Sequence, residues 1–137
     1  MDLKLFLLLF TVFLFTSYLT ELYIEQLRSF CLSLPSATED VKWEKDLTFC
    51  VGGKMFAVAG LEPGPSVMSF KCTPDEFARL TELPGVIPAP YLARYNWVAL
   101  ESFDALGDEE LEDLLRSSHE LVFERLPASL KKKLSNQ

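Results

Sequence analysis

Tyr91, Arg94, Tyr95 and Trp97, with Asn96 among them, bring three aromatic rings, one guanidinium and a side-chain amide into one short stretch. Such a set can stack on a flat ligand and neutralise a neighbouring anion. It lies within Gly85–Leu100, GVIPAPYLARYNWVAL, whose prolines and aromatics suit a rigid, shaped loop better than a plain linker. The same residues also have structural uses, with Trp97 pointing into a core, Tyr91 anchoring the loop and Arg94 pairing with a nearby acid. Lys42, Lys45, Lys54 and Lys71 fall on or beside expected strands and can join Arg94 in one basic face, and Lys131, Lys132 and Lys133 form a second basic run.

Other chemistry has less support. The single histidine, His119, stands between Ser118 and Glu120 in a helical stretch. Neighbours there point about 100° apart, so no serine and base pair forms locally. It borders an apolar stripe, which favours a structural role. Cys31, Cys50 and Cys72 are odd in number and lack C-x-x-C spacing, so buried reduced thiols are expected rather than a disulfide framework or a zinc site. The acidic run Glu101, Asp104, Asp108, Glu109, Glu110, Glu112 and Asp113 does not have calcium-loop spacing and reads as a solvated helix start. Neither a phosphate-binding loop nor a dinucleotide fingerprint is present, so no catalytic residue, metal or cofactor is expected, and the reading is of a non-enzymatic protein.

The 137 residues, 49% of them hydrophobic, suffice for one core. A formal net charge of −7 works against nucleic-acid binding unless cations are gathered locally. The amino terminus differs from the rest. Leu5–Phe15, LFLLLFTVFLF, is apolar apart from Thr11 and resembles a signal peptide's hydrophobic region, yet no small-x-small cleavage site follows. Up to Thr20 it falls short of the roughly 20 apolar residues of a spanning helix. Residues 1–20 are therefore read as an extension, either signal-like, a membrane anchor or the product of a misassigned start with translation beginning near Leu22, and residues 21–137 as the domain.

The elements that must position these groups follow from periodicity. Ile24, Leu27, Cys31 and Leu34 share a helical face that Pro35 terminates. Strands are expected around Val41–Trp43, Leu47–Val51, Met55–Ala59 and Val67–Lys71, with Gly52-Gly53 as a tight hairpin. Thr73-Pro74-Asp75-Glu76 is a capping-box helix start, with the helix running to about Leu83. Val86–Ile87 and Trp97–Glu101 read as strands flanking the Pro88–Asn96 loop. Asp108 caps a helix with Leu111, Leu114, Leu115 and Val122 inward, and Leu126-Pro127 separates it from a last short helix carrying Leu130 and Leu134. Helix, four strands, helix, two strands and two helices in that order give an α+β, two-layer domain with an antiparallel sheet of five to six strands and helices on one face.

Read together, IEQLRSFCLSLP (Ile24–Pro35), GGKMFAV (Gly52–Val58), SFKCTPDEF (Ser69–Phe77), PGVIPAPYLARYNWVAL (Pro84–Leu100) and SSHELVFERLP (Ser117–Pro127) resemble the MmcQ/YjbR family of small bacterial proteins. The resemblance implies a YjbR-like α+β domain, DNA binding, a cytoplasmic setting and a start just before the I-E-x-L-R segment. It brings no catalytic residues. The expectation is thus DNA binding through Lys54, Lys71, Tyr91, Arg94, Tyr95 and Lys131–Lys133, with a protein-interaction or small-ligand module bordered by the 88–97 loop as the alternative. Residues 5–20, if made and retained, would place the protein on a membrane.

Overall fold

A computed structural model describes residues 2–137. Helix α1 spans Leu3–Ser33, followed by strands β1 (Ala37–Lys42), β2 (Asp46–Val51), β3 (Lys54–Gly60) and β4 (Met68–Lys71). Helix α2 (Pro74–Leu80), strands β5 (Val86–Pro88) and β6 (Trp97–Leu100), and helices α3 (Asp108–Glu124) and α4 (Ala128–Ser135) complete the chain. The strands form one antiparallel sheet in the order β1-β2-β3-β4-β6-β5. The expected fold class and element order are those observed.

The pleat sorts the strands into two faces. Phe49, Val51, Ala57, Ala59, Met68, Phe70, Val98 and Leu100 look toward α1 and α3, and join Leu27, Cys31, Leu111, Leu114, Leu115 and Val122 in the main core. One irregularity breaks the alternation. Pairing of β2 with β3 steps from Phe49–Ala57 to Cys50–Met55, so Phe56 is an extra residue that also enters the core, fully buried. The Ser118 hydroxyl of α3 repairs the ladder beside it, donating to the Phe56 carbonyl oxygen at 2.6 Å and accepting from the Lys71 amide at 3.1 Å.

Several local expectations need correction. The first helix does not begin near Thr20 but runs unbroken from Leu3, because nothing between Leu5 and Thr20 breaks a helix and Asp2 caps its start by accepting from the Lys4 amide. Strand β1 begins at Ala37 and stops at Lys42, since Trp43 and Glu44 adopt left-handed backbone (φ 53° and 61°) in the turn that closes with the Lys45 amide on the Lys42 carbonyl. Asp108 is the first helical residue of α3 rather than its cap, which is Gly107. Helix α2 ends at Leu80, three residues early, while its capping box between Thr73 and Glu76 is present as expected. His119 is buried, its Nε2 2.7 Å from the Pro35 carbonyl oxygen and its ring edge-on to Phe56, so it ties α3 to the end of α1. All three cysteines are free and buried. Burial pushes the Cys31 thiol up to about 12, and burial followed by the nearby Glu76 charge pushes Cys72 up to about 11.

The amino-terminal part of α1 extends away from the domain. Its most apolar 18-residue window has a mean hydropathy of 1.9 and none of it is buried, so the helix is long and apolar enough to cross a membrane. Its threonine hydroxyls are satisfied within the helix, Thr11, Thr16 and Thr20 each donating to the carbonyl four residues earlier.

Candidate functional site

The register of the sheet decides which of the candidate residues meet. Val51 pairs with Lys54 across the Gly52-Gly53 turn, β3 runs antiparallel to β4, and Lys71 pairs with Trp97. The start of β3, the end of β4 and the start of β6 therefore lie at one end of the sheet. Lys54, Lys71, Arg94 and Tyr95 are gathered there by strands distant in sequence. The turn also sits against the last helices, since a Cβ at Gly52 would lie 2.6 Å from Leu126 and 3.2 Å from Leu130. That brings Arg125, at the carboxyl end of α3, and the lysines of α4 to the same end. The acidic run is at the other end, because Glu101 follows Leu100 and α3 starts at Asp108 and runs toward the basic end. Lys42 and Lys45, expected in the same basic face, lie instead at that other end, since Lys42 pairs with Asp46 and Asp46 with Gly60 at the end of β3.

The basic residues are not equivalent. The Lys71 side chain is largely buried, and its ammonium donates to the Tyr95 carbonyl oxygen at 2.8 Å. Desolvation, and then repulsion from the Arg125 guanidinium, lower its pKa below the usual lysine value. Its first task is to hold the loop. Arg94 lies over the Tyr95 ring, 4.8 Å from its centroid, and is exposed without the carboxylate partner that the sequence suggested. Lys131 is engaged with Glu124, donating to its backbone carbonyl at 3.3 Å and lying 3.7 Å from its carboxylate. Lys54, Lys132 and Lys133 are exposed. Arg125 was missed in the sequence because its place beside Lys71 depends on how α3 crosses the sheet.

The 89–97 loop is closed on itself and on the end of β4 by hydrogen bonds. The Ala89 amide donates to Trp97 O, Leu92 to Ala89 O, Tyr95 to Leu92 O, and Asn96 to Ala93 O, while Asn96 O accepts from both the Cys72 amide and its thiol. Trp97 is buried, but in a small cluster with Ala89 and Ala99 on the face without helices, not in the main core. Tyr91 anchors nothing. It is 97% exposed, with a left-handed φ of 67°.

On that helix-free face, strands β3, β4 and β6 carry small side chains at Gly60, Ser69 and Ala99, leaving a depression of about 410 Å³. Its floor includes Met55 and Val58, and its rim includes Trp43, Asp46, Pro90, Tyr91 and Leu92. A second cleft of about 680 Å³ between α1 and α3 is walled by Tyr23, Phe30 and Phe103, with Glu25, Asp108 and Glu112. Its carboxylates make it unsuited to phosphate. Among the described residues, no group of three or more His, Cys, Asp or Glu side chains is placed to hold a metal ion.

Comparison with known proteins supports the architecture. The fold is similar to the crystal structure of Deinococcus radiodurans protein DR2400, a DUF419 domain, with a TM-score of 0.73 and 27% identity over 82% of this chain and 87% of that one. A Pseudomonas syringae protein has a TM-score of 0.51 at 20% identity, covering 63% of this chain and 86% of its own, which is a likeness of fold alone. No curated protein matches. The YjbR family model matches residues 32–121, which takes in the whole sheet, the 89–97 loop and most of α3; the chain belongs to the YjbR family.

Proposed function

We propose that this protein is a non-enzymatic DNA-binding protein that uses the basic end of its sheet. The observation that supports this reading is the gathering of Lys54, Arg94, Arg125, Lys132 and Lys133 at one end of the sheet, away from the Glu101–Asp113 run. Net charge governs long-range attraction, but phosphate contact depends on the cations a strand can touch at once, and this end supplies several, among them Arg94 over the Tyr95 ring. Lys71 supports the site from beneath by fixing the Tyr95 backbone. Reversing charge at Lys54 and Arg94 together, as Lys54→Glu with Arg94→Glu, is expected to weaken binding of a labelled oligonucleotide at least tenfold in fluorescence anisotropy. Unchanged affinity would end this reading.

The apolar helix is proposed to be a membrane anchor, because it is apolar on every side and its threonine hydroxyls need no solvent. Tyr23 stacks on Phe103 at the acidic end of the sheet, so α1 leaves the domain there and the basic end would face away from the bilayer, on the cytoplasmic side where DNA is available. Flotation of the full chain with phosphatidylcholine vesicles tests this. Recovery at the bottom of the gradient, without detergent, would refute the anchor.

A further inference from the structure

Trp43 and Tyr91 share an unusual situation. Both are large aromatics left in solvent, 71% and 97% exposed, both hold left-handed backbone, and both stand on the rim of the same depression. The left-handed region is sterically costly for such residues, and it persists only where the surroundings impose it. The surroundings do impose it. Trp43 is held by the turn between β1 and β2, whose central positions both have positive φ, and Tyr91 by the bonded loop around it. Two hydrogen-bonded turns therefore present bare rings beside a hollow floored by small side chains.

The groove also carries different polar groups along its length. Its loop wall continues from Tyr91 to Arg94 and Tyr95 at the basic end, while Asp46, at the start of β2, stands toward the acidic end. The Asp46 carboxylate and the Ser69 hydroxyl have no side-chain hydrogen-bond partner among the described residues. A carboxylate there repels phosphate but accepts from an exocyclic base amine, and a serine hydroxyl serves either kind of base edge. The volume of about 410 Å³ falls within the range of small-ligand sites.

We infer that this groove takes unpaired bases, so that the DNA bound at the basic end is single-stranded, its backbone on Arg94 and Lys54 and its bases stacked against Tyr91 and Trp43 on the open face of the sheet. This rests on the DNA-binding reading above and adds to it the form of the nucleic acid. A duplex keeps its bases stacked on each other and offers no ring faces to Tyr91 and Trp43.

The chain has two tryptophans, and only Trp43 is exposed, so its emission reports stacking against the steady signal of buried Trp97. A 12-nucleotide oligo(dC) is expected to quench that emission and to bind at least tenfold tighter than a 12-base-pair duplex. Tyr91→Ala is expected to reduce single-strand affinity about tenfold, in line with one lost base stack, with an unchanged thermal melt because the ring packs on nothing; Trp43→Phe should keep affinity within threefold while abolishing the quench. Equal binding of both forms, insensitive to Tyr91→Ala, would overturn the inference and leave the DNA-binding reading standing. Binding of neither form would remove that reading and the inference with it.

Discussion

Replacing Ser118 with alanine tests the packing on which the basic end depends. The hydroxyl is wholly buried and serves two strands at once, donating to Phe56 O at 2.6 Å and accepting from the Lys71 amide at 3.1 Å. Alanine leaves a buried carbonyl and a buried amide without partners, and each unsatisfied group costs about 1–3 kcal/mol. The loss of the buried hydroxyl itself returns part of its desolvation cost, so the lower half of the sum, about 2–4 kcal/mol, is expected. With a urea dependence of about 2 kcal/mol per molar, the unfolding midpoint followed by circular dichroism should fall by about 1–2 M at unchanged slope. Ser117→Ala, at the half-buried neighbouring position, should stay within about 0.5 kcal/mol. A Ser118→Ala loss no larger than that of Ser117→Ala would refute the view that this hydroxyl completes the ladder around the Phe56 bulge.

Other outcomes follow from the same structure. Gly52 and Gly53 both have positive φ, but only at Gly52 does an added Cβ meet a neighbour, Leu126 at 2.6 Å. Both alanine variants should lose about 1 kcal/mol from backbone strain, with Gly52→Ala losing more and Gly53→Ala not; equal urea midpoints would contradict the packing of the turn against Leu126. A thiol reagent at neutral pH should find none of the three cysteines in the folded protein and all three in urea, because each is buried. Stability should fall as pH rises above about 9. An ordinary thiol begins to lose its proton there in the unfolded chain, while folded Cys31 and Cys72 keep theirs until about 12 and about 11. Lys71 acts in the opposite sense, its lowered folded pKa relieving a cost as pH approaches the ordinary lysine value, but it is one group against two. A flat or rising profile from pH 9 to 10.5 would contradict this assignment.

The order of elements was readable in the chain because each carries its own local signal. The Thr73–Glu76 capping box, the Gly52-Gly53 turn and the spacing of Leu111, Leu114, Leu115 and Val122 act within a few residues of themselves, and the structure contains all three. The misses also have local causes. Trp43 has the composition of a strand residue, and only the turn geometry removes it from β1 and places it in solvent. For Tyr91 and Arg94 the chain allows either a binding surface or an anchor and an ion pair, and the structure removes the second pair of roles, since Tyr91 stands in solvent and Arg94 lies over Tyr95. The candidate site was legible only as a set of residue types. What gathers Lys54, Lys71 and Arg94 is strand register, and what adds Arg125 is the path of α3 across the sheet, neither of which a single chain's pattern contains. The hollow on the helix-free face was likewise hidden, since Gly60, Ser69 and Ala99 become neighbours only when β3, β4 and β6 pair.

The salt dependence of DNA binding tests the central claim most directly. With about four or five cations at the basic end meeting phosphates of a single strand, log affinity should fall against log salt with a slope of about −3. Between 50 and 200 mM salt this amounts to a loss of about 50–100-fold in anisotropy titrations with a labelled oligonucleotide. Arg94→Glu should make the slope shallower by about 1, whereas Glu109→Lys, at the opposite end, should leave it unchanged. Affinity that does not respond to salt, or that responds equally to the charge changes at the two ends, would contradict the account.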